Sequence, residues 1–176
     1  MKNLISFLLL FLSFIGCSGS ASMQIVKKPN TKIDLASPTV VLTDKTENTQ
    51  DMTFVDMLAT KLLGMGMNLM DRSTLQAMLK EKGVNWDQVI SGQQYFKIGE
   101  NSHIKTIIVV NSIMNGSMVI RASCRVIEAS TGTLLMSMTI TNPSMNEGYV
   151  GNESIPDIIS EWANAITSDE DYSGSK

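Results

Sequence analysis

Histidine and cysteine, the residues that most often carry acid–base, metal and thiol chemistry, are scarce in this chain. Its 176 residues include one histidine and two cysteines. His103 has no second histidine and no cysteine or carboxylate at ligand spacing, so we predict a loop residue and not a metal ligand. A Gly-x-Ser-x-Gly sequence is absent too, and a hydrolase would depend on His103 as its only imidazole base. The sequence therefore predicts no enzyme, no metal and no cofactor.

An excess of positive charge is also missing. The formal net charge is −3 at pH 7, whereas nucleic-acid-binding proteins usually show a basic face. Anionic lipid likewise attracts basic segments. We therefore expect no nucleic-acid partner and no electrostatic attraction to a membrane. A content of 43% hydrophobic and 18% charged residues is typical of a globular protein, and the length suggests one domain with appendages.

The first residues read as a targeting segment. Lys2 precedes an apolar stretch over residues 4–15, which is too short to span a bilayer comfortably as a helix. The stretch ends in Phe-Ile-Gly-Cys17, which resembles the lipobox of bacterial lipoproteins, although that motif usually has Leu in place of Phe14. The resemblance implies cleavage before Cys17, diacylglycerol on its sulfur and an acyl chain such as palmitate on its amine. The alternative is an ordinary secretory signal in which Cys17 is incidental.

The lipobox resemblance has two further implications. Ser18 replaces the Asp that would retain a proteobacterial lipoprotein at the inner membrane, so we expect an outer-membrane protein facing the periplasm. A lipidated Cys17 would leave Cys124 without a disulfide partner. Cys124 shares the apolar face of a predicted strand with Ile120 and Val126, where a free cysteine behaves as a small hydrophobic residue.

Composition divides the chain into four segments. We predict a signal peptide over residues 1–16, a lipidated N-terminus and polar tether over 17–37, an α/β domain over 38–167 and a flexible acidic tail over 168–176. Within the domain, apolar periodicity and capping patterns predict a series of elements. These are a strand at 39–42, a helix at 52–63, a brief strand at 67–70, a helix from Ser73 to Gly83 with a capping box, a broken helix within 84–99 and a helix from Ser154.

The most regular pattern lies over residues 104–141. A β-branched apolar run at 104–110 is followed by two stretches of alternating apolar and polar residues, joined by a turn that contains Gly132. Side chains alternate across a strand, so each stretch has one face for a core and one for solvent. Arg121 and Arg125 lie on the polar face. The sequence predicts a mixed α/β sheet with an antiparallel C-terminal hairpin, packed by amphipathic helices.

Three segments resemble the curli secretion lipoprotein (CsgG) family, whose periplasmic core is shared with the LpoB-like activators of penicillin-binding proteins and resembles the N-terminal domain of TolB. The segments are Phe-Val-Asp-Met-Leu at 54–58 leading to Met-Asn-Leu-Met-Asp-Arg-Ser-Thr-Leu at 67–75, Lys-Glu-Lys-Gly at 80–83, and Arg-Val-Ile-Glu-Ala-Ser-Thr-Gly-Thr-Leu-Leu at 125–135. The chain departs from the family at Ser102-His103-Ile104, where Gly-Ala-Asp is usual, and at Glu128, where Asp is common.

The resemblance implies a lipid-anchored periplasmic accessory protein that binds an envelope assembly, secretion or cell-wall synthesis partner. The alternative is a subunit of an oligomeric secretion complex of the same family. A pore is not expected of this chain alone, since it has no spare segments for membrane-spanning hairpins, whose strands need about 9–11 residues each. Arg121 and Arg125 are the candidate partner face, the alternative being a solvated strand face. Self-association through a sheet edge stays open.

Overall fold

The computed structural model describes residues 22–44, 49–91, 93–115, 118–141, 154–169 and 173–175. The strands in these ranges are β1 Ser22–Lys27, β2 Thr39–Leu42, β3 Thr106–Asn115, β4 Met118–Glu128, β5 Leu134–Thr141 and β6 Ser173–Ser175. The helices are α1 Thr49–Gly64, α2 Arg72–Glu81, α3 Trp86–Ser91, α4 Phe96–Asn101 and α5 Ile155–Thr167. The predicted signal peptide and Cys17 lie outside the described residues.

All described strands belong to one sheet with the order β2-β3-β4-β5-β1-β6. Strands β2 and β3 are parallel, and the remaining pairs are antiparallel. The chain between β2 and β3 carries α1 to α4, which supplies the crossover that a parallel pair needs. The tight reversal between β4 and β5 uses Gly132 at φ +71°. The predicted mixed α/β sheet with a C-terminal antiparallel hairpin is confirmed.

Helices cover the two faces of the sheet unequally. On one face, α1 and α5 pack over the apolar residues of β1, β3, β4 and β5, and the rings of Phe54 and Trp162 lie 6.1 Å apart between their centroids. On the other face, α2, α3 and α4 cover β2, the first half of β3 and the end of β4, where Ile107 and Ile127 are buried. The antiparallel half of this second face has no helix over it among the described residues.

Two parts of the predicted domain division were wrong. The sequence predicts a tether over residues 17–37, but residues 22–27 form β1 and pair with β5, with Ile25 opposite Met138. Met23 and Ile25 are buried, so this segment belongs to the domain and contributes to its core. The predicted flexible tail likewise contains β6, which pairs with residues 24–26 through backbone hydrogen bonds. A sequence of Ser-Gly-Ser gives no side-chain pattern from which that strand could be predicted.

The last residue of β1 joins it to the end of α5. Lys27 is only 4% exposed, and its ammonium group donates a 2.6 Å hydrogen bond to the carbonyl oxygen of Ser168. Ser168 follows the last turn of α5, where backbone carbonyls carry partial negative charge. The tether and tail predictions therefore failed at the same place, since β1 and the chain after α5 stabilise each other.

Smaller differences concern the segment around α2. The predicted strand at 67–70 is reduced to a single parallel bridge between Leu69 and Thr39. The N-cap of α2 is Asp71 and not Ser73, because the Asp71 carboxylate accepts hydrogen bonds from the backbone N–H groups of Ser73 at 2.8 Å and Thr74 at 3.2 Å. The predicted broken helix is resolved into α3 and α4, and Gly92 between them lies outside the described residues.

Candidate functional site

The uncovered half of the second sheet face is the candidate site, and we call it the open sheet face. Pairing across β3, β4, β5 and β1 aligns its side chains in rows. It carries two large exposed aliphatic residues, Val26 at 59% and Ile113 at 53% exposure. The open sheet face consists of Ser22, Gln24, Val26, Asn111, Ile113, Arg121, Ser123, Arg125, Ser137, Thr139 and Thr141.

Both predicted partner-face residues, Arg121 and Arg125, lie on the open sheet face, but only one is available to a partner. Arg125 is partly buried and its guanidinium lies 3.5 Å from the carboxylate of Asp44, which also accepts a 2.9 Å hydrogen bond from Asn111 Nδ2. Burial raises the pKa of the Tyr95 phenol, and the neighbouring Arg125 charge opposes that shift. Arg125 therefore ties β4 to the residue that follows β2.

Arg121, in contrast, is exposed and makes no ion pair within the described part of the chain. Its neighbours across the strands are Ile113 on β3 and Thr141 on β5. A depression on this face is lined by Arg121, Asp44, Asn111 and Ser123, among others. An unpaired guanidinium beside an exposed aliphatic side chain is suited to contact with a carboxylate set in an apolar surface.

Cys124 lies on the opposite side of β4 and is fully buried in the core against α1 and α5. Burial raises the pKa of its thiol far above the usual range, and the neighbouring Arg125 charge opposes that shift. A thiolate is the reactive form of cysteine, so the buried Cys124 is not a nucleophile. The sequence prediction of a free, core-facing cysteine is confirmed.

Other candidate residues form no chemical centre in the described ranges. His103 is exposed in the segment between α4 and β3, as predicted. No group of three or more His, Cys, Asp or Glu side chains there is arranged to hold a metal ion. None of the helices that the structure describes is long and apolar enough to cross a membrane.

One buried polar contact could not be predicted from the sequence. Asp51, in the first turn of α1, is fully buried, and its carboxylate accepts 2.5 Å hydrogen bonds from both the backbone N–H and the hydroxyl of Ser112 on β3. This contact fixes the start of α1 against the strand that carries Asn111 and Ile113. The available signal was an aspartate directly before the predicted helix at 52–63, but that position is equally typical of an exposed acidic residue near a helix N-terminus.

Comparisons with known proteins give weak structural likenesses. The chain is similar to lipoprotein GNA1162 from Neisseria meningitidis, at 16% identity over 76% of this chain and 98% of that one, with a TM-score of 0.49. The LpoB C-terminal domain from Salmonella enterica matches at 15% identity over 60% and 81%, with a TM-score of 0.47. The PelC dodecamer from Paraburkholderia phytofirmans matches at 9% identity over 84% and 95%, with a TM-score of 0.43.

No protein-family model matches the chain, and a search of curated proteins found no match either. The structural likenesses have TM-scores below 0.5, so they do not show a family for this chain. The resemblance to curli secretion lipoproteins therefore stays a prediction from the sequence.

Proposed function

We propose that this chain is a non-catalytic accessory protein of the bacterial cell envelope, held at the membrane by lipid on Cys17. Its open sheet face binds an envelope protein that takes part in secretion, surface assembly or cell-wall synthesis. The observation that supports this proposal is the contrast between two arginines on one strand. Arg125 is paired with Asp44, whereas Arg121 has no acidic partner among the described residues.

The chemistry of this face indicates the kind of partner surface. Arg121 offers five N–H donors in a planar arrangement that matches a carboxylate. Ile113 beside it and Val26 further across the sheet are exposed aliphatic side chains. An acidic patch with apolar surroundings on the partner would pair with the guanidinium and remove both aliphatic side chains from water.

Affinity capture from crosslinked cell envelopes tests this proposal. The experiment compares three proteins: wild type, Arg121→Glu and Lys105→Glu. Lys105→Glu is the matched charge reversal, because Lys105 is exposed just before β3, at the end remote from Ile113. Each captured complex is analysed by mass spectrometry and sizing. We expect a partner with wild type and Lys105→Glu that is lost with Arg121→Glu. Equal recovery with Arg121→Glu, or a monomer that captures nothing specific, would contradict the proposal. A peptidoglycan synthase would identify an activator, and secretion subunits an assembly role.

The lipid anchor has a separate test. Cells that express wild type or Cys17→Ser are grown with radiolabelled palmitate and fractionated. We expect the label and the membrane association to depend on Cys17, because several acyl chains on one residue bind a bilayer stably whereas one is marginal. A Cys17→Ser protein that keeps its label, or a wild type that never takes it up, would refute the anchor.

The alternative is a subunit of an oligomeric secretion complex. It is supported by β6, a three-residue edge strand that pairs with β1 on one side and has no second strand beside it within the described residues. An unpaired edge is a template for association with another chain. Sedimentation of the detergent-solubilised protein separates the readings, since a large homomeric ring favours the oligomer and a monomer opposes it.

A further inference from the structure

The edge of the sheet at β2 has backbone groups directed away from the ladder. The N–H of Thr39 donates a 2.9 Å hydrogen bond to the carbonyl oxygen of Asn68, and the carbonyl of Thr39 accepts a 2.8 Å hydrogen bond from the N–H of Met70. Both backbone groups of Thr39 therefore point away from β3. In a parallel ladder alternate residues point the same way, so the N–H and carbonyl of Val41 also point outward. Leu69 and Met70 accompany β2 only as far as Thr39. In the described part of the chain, no hydrogen bond outside the ladder reaches the Val41 backbone.

These outward groups open into a concave site, which we call the β2-edge groove. It has a volume of about 650 Å³ and lies between α1 and the start of α2. Val55, Ala59 and Leu63 of α1 line it together with Leu69. An unpaired strand edge inside such a groove suits one extended peptide segment, which adds a strand through main-chain hydrogen bonds.

The rim of the groove sets the charge of such a peptide. Asp56 is exposed at the rim, and its carboxylate makes no hydrogen bond or ion pair within the described ranges. Among the described lining residues the only cation is Arg72, whose guanidinium donates to Met52 Sδ at 2.9 Å and lies 5.6 Å from the centre of the Trp86 ring. A lysine or arginine in the bound peptide would meet the Asp56 charge.

We propose that the β2-edge groove binds an extended segment of another protein, with alternating aliphatic side chains and a basic residue, as an added strand beside Val41. Main-chain hydrogen bonds to Val41 would provide affinity, and the apolar wall and Asp56 would provide selectivity. This proposal concerns a different surface from the open sheet face, so it goes beyond the partner contact through Arg121.

The test uses the full chain in detergent and a defined probe, the capped peptide Lys-Val-Thr-Val-Thr-Val-Lys. Two control peptides carry either an N-methyl group on the central valine, which removes its N–H donor, or Glu in place of both Lys. Amide hydrogen exchange is followed at Val41, with Val40 in the β2–β3 ladder as the internal reference. We expect the Val41 amide to exchange faster than that of Val40 in the free protein and at least about tenfold more slowly once the Lys peptide is bound.

Matched variants locate the binding. Thr60→Trp adds a bulky side chain to the exposed groove wall and should abolish binding, whereas Ala77→Trp on the exposed side of α2 should not. Both control peptides should bind at least about tenfold more weakly than the Lys peptide. Arg121→Glu should leave peptide binding unchanged. A failure of the β2-edge groove proposal can therefore be distinguished from a failure of partner binding at the open sheet face.

Any of four results would overturn the proposal. The first is a Val41 amide that exchanges as slowly as the Val40 amide in the free protein, and the second is unchanged Val41 exchange with the Lys peptide at about 1 mM. The third is equal affinity for the Lys peptide and the N-methyl peptide. The fourth is a dimer that sediments without peptide and is abolished by Thr60→Trp.

Discussion

Gly99 provides a sharp test of how α4 packs on the turn between β4 and β5. It lies within α4, and a Cβ atom at this position would overlap the carbonyl carbon and oxygen of Ala129 and would lie 2.8 Å from the nitrogen of Ser130. Ordinary van der Waals contact begins at 3.4 Å. Gly99→Ala therefore requires α4 and the turn to separate by about 1 Å, against backbone atoms that have no alternative rotamer.

The turn is held too firmly to recede without cost. Ala129 is fully buried, and its N–H donates a 2.8 Å hydrogen bond to the carbonyl of Lys105. Overpacking a core costs about 1–3 kcal/mol, and a disturbed backbone hydrogen bond about 1 kcal/mol more. Alanine favours a helix over glycine by at most about 1 kcal/mol. With the full helix-propensity gain of alanine subtracted, the expected loss in the free energy of unfolding is about 1–3 kcal/mol.

Urea unfolding followed by tryptophan fluorescence measures this loss, since Trp162 is fully buried in the native state. Gly64→Ala is the matched control, because it lies at the end of α1, has no positive φ and meets nothing within 4 Å of the added Cβ. That variant should be neutral or stabilised by up to about 1 kcal/mol. If Gly99→Ala unfolds within about 0.5 kcal/mol of wild type at an unchanged urea dependence, α4 does not pack this closely on the turn.

Further predictions follow from the polar and buried groups. Asp51→Ala should lower the free energy of unfolding by about 1–3 kcal/mol in urea titration, since the buried N–H of Ser112 loses its carboxylate acceptor; a loss below about 0.5 kcal/mol would contradict this. Asp71→Ala should cost about 1 kcal/mol at pH 7 through loss of the α2 N-cap. Hydrogen bonds from Ser73 and Thr74 lower the pKa of Asp71, so its contribution is present above the unfolded pKa of about 3.9 and is lost as the pH falls through the folded value. The penalty should therefore shrink in titrations near pH 3, and an equal penalty at both pH values would refute the carboxylate as the cap. Cys124 should react with a neutral alkylating agent only as fast as the protein unfolds, which mass spectrometry across a urea series measures; rapid labelling of native protein would show an accessible thiol.

Local patterns were sufficient to predict the elements that bury a regular face. The β4–β5 hairpin was predictable because its apolar residues alternate and Gly132 permits the reversal. The helix α5 was predictable because Ile158, Ile159, Trp162 and Ile166 recur at helical spacing. These signals lie within a few residues of one another, so no knowledge of distant contacts was needed.

The strands β1 and β6 depend on contacts that no local pattern records. Met23 and Ile25 do alternate with polar or exposed residues, but the short run is followed by Pro29 and resembles a tether in composition. Its burial becomes evident only once β5 lies beside it and Lys27 reaches the end of α5, 141 residues further along the chain. The edge strand β6 pairs with β1, so β6 cannot be predicted unless β1 is predicted first.

The candidate site shows the same division between local and distant information. Alternation was sufficient to put Arg121 and Arg125 on one face of β4, but not to tell them apart. Their difference arises because β2 ends beside β3, which brings Asp44 within reach of Arg125 across the intervening strand. Removing Arg125 would leave the partly buried Asp44 carboxylate without its cation, so a loss of binding in that variant would be confounded with a loss of stability. Arg121 has no such internal role among the described residues, and a charge reversal there tests partner binding alone.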